Sequence, residues 1–244
     1  MRGFETLRSE LSVLRQCLRG MPRRGQQAGR LDAFYGPQAE QYDRFRERLL
    51  HGRAELIAAL DLPQRARVLE LGGGTGRNLE FFPEQRRADL HFELVDLCAP
   101  LLEVAKHRTR DWPSVRITLA DACSHQPDQP VDCVYFSYSL SMIPDWGLAL
   151  DNALRNLNPG GLLAAVDFHV SSACPPPGRA SHSALARAFW PRWFGHDGVQ
   201  LGPERLDALC KRLPRHALLE TSAPVPYMPG LRVPYYRFIG RKPG

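Results

Sequence analysis

Hydrophobic and polar positions divide the chain into three stretches with different periods. Phe4, Leu7, Leu11, Leu14 and Leu18 recur at helical spacing, which predicts an amphipathic helix over residues 4–19. "RGMPRRGQQAGR" then breaks the pattern with Pro22 and three glycines and reads as a linker. A second helical stretch follows, roughly Pro37 to Leu60.

Beyond it the pattern alternates. "RVLEL" (67–71), "HFELVD" (91–96), "VRITLAD" (115–121), "VDCVYFSY" (131–138) and "LLAAVDFHV" (162–170) are short, nearly continuous apolar runs, as buried strands require. Between them lie helical stretches: one opened by "NLEFF", "PLLEVAKHR" (100–108), and residues 145–157, the last followed by a turn at "NPGG". Strand–helix alternation of this kind predicts a parallel sheet covered on both faces. After residue 170 come a loop at "CPPPG", a helix in "ALARAFWPRWF" interrupted by Pro191, and a helix in "GPERLDALCKRL". Strand-like runs around 218–223 and 235–241 close the pattern. The expected organisation is a leader and linker over residues 1–30 and one α/β domain over 31–244.

Composition changes this picture in one respect. Of the net charge of +6, residues 1–30 carry +5, from seven arginines against Glu5 and Glu10. A nearly neutral domain with a basic leader argues against broad nucleic-acid binding and for contact between the leader and an anionic membrane surface. Packing of the leader on the domain or on another subunit is the alternative. No run of about 18 apolar residues is present. Six cysteines without CxxC spacing imply reduced thiols, no metal site and a cytoplasmic location, peripheral on the inner membrane face if the leader binds lipid.

The sharpest chemistry lies in "LELGGGTGRN". Glu70 ends the first strand, and Gly72, Gly73, Gly74 and Gly76 form the turn that follows. Glycines at this strand end let the backbone approach a nucleoside closely. The spacing is neither a dinucleotide fingerprint, since Arg77 takes the last glycine position, nor a phosphate-binding loop, since GK[ST] is missing. E-x-G-x-G-x-G is instead the signature of class I methyltransferases, which bind S-adenosylmethionine. Asp96 ends the second strand, where a carboxylate reaches both ribose hydroxyls, and Asp121 ends the third, where the methyltransferases that this motif resembles contact the adenine. Helix capping is the alternative role for either acid. Asn78, Leu97, Ala122, Ser137 and Tyr42 complete the expected cofactor set.

The resemblance reaches further. "FYGPQAEQYDRFRERLLHGR", "LVDLC", "SYSLSMIPDW", "VDFHV", "FWPRWFGHDGV" and "PYMPGLRVPYYRFIGRK" resemble the methyltransferase of betaine-lipid synthesis over about residues 34–242. The resemblance implies a Rossmann-like fold with a seven-stranded, mostly parallel sheet and an antiparallel last strand. It implies three methylations of the amine of diacylglyceryl homoserine, with a separate 3-amino-3-carboxypropyl transferase as partner. His169 stands where a tyrosine is expected in that family.

Methyl transfer from a sulfonium asks for positioning, an uncharged acceptor amine and a surface for the cationic product. Tyr138, Asp167, His169 and Tyr35 are the catalytic candidates, each with packing, capping or hydrogen bonding as its alternative. Asp167 and His169, two apart, share one side of a strand. Phe189, Trp190, Trp193 and Phe194 place four rings in six residues; Trp190 and Trp193 are expected to wall the acceptor pocket, with core packing as the alternative. Arg187, Arg192 and His196 are expected to pair with the acceptor carboxylate, and Tyr227 or Tyr235 to stand nearby. Two other functions stay open: methylation of a small soluble metabolite, and a non-catalytic subunit that binds S-adenosylmethionine. Base-amino methylation of nucleic acid is disfavoured, because Ser137-Tyr138-Ser139-Leu140 replaces its [DNS]-P-P-[FYW] motif.

Overall fold

The computed structural model describes residues 20–22, 24–36, 43, 47–226, 228 and 230–244. The predicted leader helix, Tyr42 and Tyr227 lie outside them. A seven-stranded sheet organises the rest: β1 (Arg67–Leu71), β2 (His91–Asp96), β3 (Val115–Leu119), β4 (Val131–Ser137), β5 (Leu157–Phe168), β6 (His216–Pro224) and β7 (Arg232–Arg241), in the order β3-β2-β1-β4-β5-β7-β6. The first five strands are mutually parallel, and β7 runs antiparallel to both β5 and β6. The order in which the parallel strands are added changes side between β1 and β4, which places a crevice above their carboxyl ends.

Helices cover both faces. In chain order they are α1 (Gln27–Tyr35), α2 (Arg53–Ala58), α3 (Glu84–Asp89), α4 (Ala99–Arg108), α5 (Trp146–Asn156), α6 (Ala184–Gly195) and α7 (Glu204–Arg212). Leu56 and Ile57 of α2, Leu102 and Ala105 of α4, and Trp190 and Phe194 of α6 share one core with Val68, Leu94, Tyr135 and Phe168. On the opposite face Ala149, Leu150 and Ala153 of α5 and Leu206 and Leu209 of α7 pack on Leu69, Val134, Leu163 and Phe238. Acids begin α7 and Lys211 and Arg212 end it, matching the helix dipole.

Several boundaries depart from the sequence reading. The linker is shorter, because α1 starts at Gln27 and Met21 is buried with Leu31, Phe34 and Leu101. Met21 thus packs on the domain, and residue 30 lies inside α1. The stretch 37–60 is not one helix: Gly52 has a left-handed φ of 82°, and α2 begins only after it. A Cβ at Gly52 would meet Tyr235 Cε2 at 2.6 Å, so glycine lets β7 approach the chain here. "NLEFF" forms a 3-10 turn at Arg77–Phe81, and the expected helix between β1 and β2 starts only at Glu84, as α3. "NPGG" joins β5 as an extended segment with φ 76° at Gly160. Pro191 does not interrupt α6.

Candidate functional site

Above the carboxyl ends of β1, β2 and β4 lies a cleft open to solvent. The glycine turn forms its floor. Gly72 N–H and Gly73 N–H both donate to Val95 O, at 2.8 and 3.1 Å, which anchors the turn to β2. Gly72 has φ 75°, and a Cβ there would collide with Ser139. A Cβ on Gly73 would collide with the buried Leu94. The backbone is thus brought to the cleft surface with no side chain covering it, as a nucleoside cofactor needs.

Two carboxylates frame the turn. Asp96 accepts from Gly74 N–H through Oδ2 and from Cys98 N–H through Oδ1, both at 2.8 Å. Burial lifts its carboxyl above the usual range, against the backbone N–H groups that bind it. Asp121 accepts from Cys123 N–H at 2.8 Å and is exposed at the cleft wall. Capping and ligand binding are therefore compatible here, since each acid faces the cleft as well as its backbone partners. Leu97, Ala122, Asn78 and Ser137 also line the cleft. Ser137 Oγ is buried and hydrogen-bonds to none of the described residues. A hydroxyl in that state on a cleft wall suits a ligand atom.

Across the cleft, α1 and the start of α2 form the opposite wall. Tyr35 lines it and donates its hydroxyl to Met142 Sδ at 3.1 Å, while Gln27 Nε2 donates to Met142 O at 3.1 Å. Asp32 of α1 accepts from Ala99 N–H at 3.1 Å, fixing α1 to the start of α4. Tyr138 lines the cleft with an unusual φ of 54°, and its hydroxyl donates to His51 O at 2.6 Å. Burial pushes the Tyr138 hydroxyl well above the ordinary tyrosine range. Its hydroxyl tethers the segment before α2 to the end of β4.

The remaining candidates stand away from the cleft. Glu70 is buried beneath the turn, accepting from Asn78 Nδ2 at 2.6 Å and Tyr135 Oη at 2.7 Å; it supports the turn from below. Gly76 packs toward Leu94 and Ala105 and lets α4 approach the turn. Asp167 is buried on the α7 face, where Ser141 N–H and Ser141 Oγ donate to it at 2.8 and 2.7 Å. His169 points the same way, with Nε2 3.2 Å from Glu220 Oε1. The shared side of the strand was read correctly, but that side faces the core rather than the crevice.

The aromatic helix is likewise not a wall of this cleft. Trp190 and Phe194 are buried in the core, and Trp193 faces outward. Phe194 stacks on Phe168 with centroids 4.6 Å apart, and Phe168 meets Tyr138 at 4.6 Å. One ring thus separates α6 from the cleft-lining tyrosine. Arg192 donates to Ala188 O at 2.8 Å, Arg187 donates to His182 O, and His196 O accepts from Met21 N–H at 3.0 Å. None of the three lines the cleft. Tyr235 packs against Gly52.

Sequence reasoning missed Arg53. It is buried, lines the cleft, and donates to Leu50 O at 3.0 Å and Asn78 Oδ1 at 3.3 Å. Its signal was weak: one arginine at the start of "RAELIAAL". Gln27, Leu31, Met142 and Ile143 also line the cleft and carried no motif. No group of metal-ligating side chains occurs among the described residues.

A doubly wound sheet whose glycine turn and two acids meet at the switch point defines a nucleoside-binding α/β protein. Residues 41–218 match a family model described as a methyltransferase domain, and the chain belongs to that family. Among curated proteins, it is 30% identical over 129 residues to trans-aconitate 2-methyltransferase of Azoarcus sp. (strain BH72), covering 51% of this chain and 48% of that protein. It is 29% identical over 116 residues to the ubiquinone/menaquinone biosynthesis C-methyltransferase UbiE of Proteus mirabilis, covering 46% of each. The chain thus spans about half the length of the curated relatives it matches. Phosphoethanolamine N-methyltransferase 2 of Haemonchus contortus, solved with phosphomonomethylethanolamine and S-adenosylhomocysteine, superposes with a TM-score of 0.68 at 15% identity, over 91% of this chain and 61% of that one. The [4+2]-cyclase SpnF superposes with a TM-score of 0.66 at 16% identity, over 92% and 98%. The same architecture thus serves different chemistries, and the reaction has to be argued from the site. No described helix is long and apolar enough to cross a membrane.

Replacing Asp96 by asparagine is expected to weaken S-adenosylmethionine binding by about tenfold to a hundredfold. An amide keeps the size but loses the charge that the Gly74 and Cys98 N–H groups and a ribose would share. Calorimetric titration reads the change.

Proposed function

We propose that the chain is an S-adenosylmethionine-dependent methyltransferase acting on an amine, with diacylglyceryl homoserine as the acceptor. The observation that carries the cofactor reading is the uncovered glycine backbone set between Asp96 and Asp121 at the switch point. When bound, S-adenosylmethionine supplies a sulfonium-borne methyl group whose departure leaves a neutral thioether. The chain's own part is positional. Gly72 to Gly74 present main-chain groups to the cofactor, Asp96 and Asp121 present carboxylates to its hydroxyls and base, and Tyr35 with Met142 narrows the cleft beside the end of β4. The acceptor nitrogen has to arrive uncharged, with its lone pair directed at the methyl. With S-adenosylmethionine bound, the new N–C bond would form as the S–C bond breaks; after the first two transfers the ammonium proton would pass to water or a cleft carboxylate, and the third would leave a quaternary nitrogen with no proton to lose.

Arg53 supports an acceptor that carries a carboxylate, as the homoserine headgroup does. Its guanidinium donates to Leu50 O and Asn78 Oδ1 and adds positive charge to the cleft wall, whereas the arginines of α6 stand away from the cleft. The finer assignment to a betaine-lipid precursor rests on the motif resemblance around "SYSLSMIP" and "FWPRWF". A small polycarboxylate is the second reading. It is favoured by Arg53 and by the relatives named as trans-aconitate methyltransferases.

Co-expression with an enzyme that makes diacylglyceryl homoserine, followed by lipid mass analysis, tests the acceptor. Trimethylated headgroups are expected. Headgroups left unmethylated, while purified protein consumes S-adenosylmethionine with trans-aconitate, would transfer the assignment to the second reading.

A further inference from the structure

The apolar arc of α6 is wider than the core it covers. At about 100° per residue, Leu185, Phe189, Trp193, Ala186, Trp190 and Phe194 follow one another around roughly half of the helix circumference. The core takes only one part of that arc, with Trp190 and Phe194 buried and Ala186 packed against them. The other part is open: Leu185 is 78% exposed and Trp193 is 47% exposed, with Phe189 half-buried between them and 5.5 Å from Trp193 by ring centroid. Leu185, Phe189 and Trp193 are spaced four apart and form one continuous strip. Arg192 borders it, exposed, and α6 carries two arginines and no acid.

We propose that this strip seats the protein on an anionic lipid surface, with Leu185, Phe189 and Trp193 entering the headgroup–acyl boundary and Arg192 pairing with phosphates. Charge selects the occupant. A second copy would set one basic helix against another, and the basic segment before residue 20 would meet a helix of its own sign. An anionic bilayer complements both. Gly20 stands against the end of α6: a Cβ there would meet His196 O at 2.6 Å, one residue beyond the helix. Trp and Leu over a basic border are the side chains that an interfacial helix uses. That the surface is a bilayer draws also on the lipid acceptor proposed above; the exposed strip itself does not.

The test uses the full chain, with no acceptor present, and vesicles of phosphatidylcholine with or without phosphatidylglycerol, their acyl chains brominated near the headgroup. Sedimentation with the anionic vesicles and bromine quenching of tryptophan emission are expected, and W193F should lose most of the quenching. The pair L185S/W193S should lower vesicle partitioning by about tenfold, while leaving S-adenosylmethionine binding by calorimetry unchanged. Three results would overturn the proposal: a chain that stays in the supernatant, sedimentation without quenching of Trp193, or a solution dimer that L185S/W193S splits. Methylation assays on the same lipids report on the acceptor separately, so docking without methylation would reject the acceptor and retain the surface.

Discussion

Gly72→Ala is expected to reduce affinity for S-adenosylmethionine by at least about a hundredfold, roughly 2.7 kcal/mol, by calorimetric titration. Two effects add. A side chain at φ 75° costs about 1 kcal/mol or more in backbone strain. The new methyl would also overlap Ser139, which cannot retreat, because its Oγ is buried and donates to Leu71 O at 2.7 Å. The end of β4 would have to shift, and it forms a wall of the cleft. Gly74→Ala is the internal comparison. Gly74 has a similar φ of 55°, but a Cβ there would meet only Leu101 Cδ1 at 3.6 Å, so strain without collision should cost much less. Equal losses at the two positions would show that conformation alone, and not the contact with Ser139, sets the affinity.

The second large effect is on stability against pH. Burial pushes the Glu70 carboxyl from 4.5 up to about 7, although Asn78 and Tyr135 donate to it. Asp167 is pushed from 3.8 up to about 6 by burial, against the donors of Ser141. In both, the folded state holds the proton more tightly than the unfolded chain. The stability this provides is complete below the unfolded values and is lost as pH rises through about 6 and about 7. Thermal midpoints should therefore fall between mildly acidic and neutral buffer. For Glu70 the loss is on the order of 3 kcal/mol. Glu70→Gln cannot ionise and should flatten that part of the slope, making the variant relatively more stable in alkaline buffer. Midpoints that track pH identically in both proteins would show that Glu70 is not the source.

The strands were legible because runs such as "RVLEL" and "HFELVD" each set three apolar residues, β-branched or aromatic ones among them, within a short stretch, and such runs recur in alternation with helical stretches. The glycine turn and its acids were legible for a related reason: their role follows from backbone reach, which spacing records. Position in the third dimension was not. Parity along β5 put Asp167 and His169 on one side, yet β5 is buried on both faces, so no polar alternation told which side faces the crevice. The break before α2 depends on the Tyr235 ring, almost two hundred residues away in sequence. Arg53 became a cleft residue only once α2 was laid against the 3-10 turn and Asn78 came within reach. The rings of α6 looked like a pocket because half of a wide apolar arc is indistinguishable, in sequence, from the half that meets the core.

The placement of β7 has a consequence for assembly. β6 touches the sheet solely through β7, and β7 is made after it. During synthesis the residues of β6 therefore emerge with no ladder to join, and the free edge of β5 waits beside them. Docking of one late segment supplies hydrogen-bond partners to two neighbours at once. Sheet closure should thus be a single terminal event, and a nascent chain paused before residue 232 would expose an unguarded strand edge to other chains.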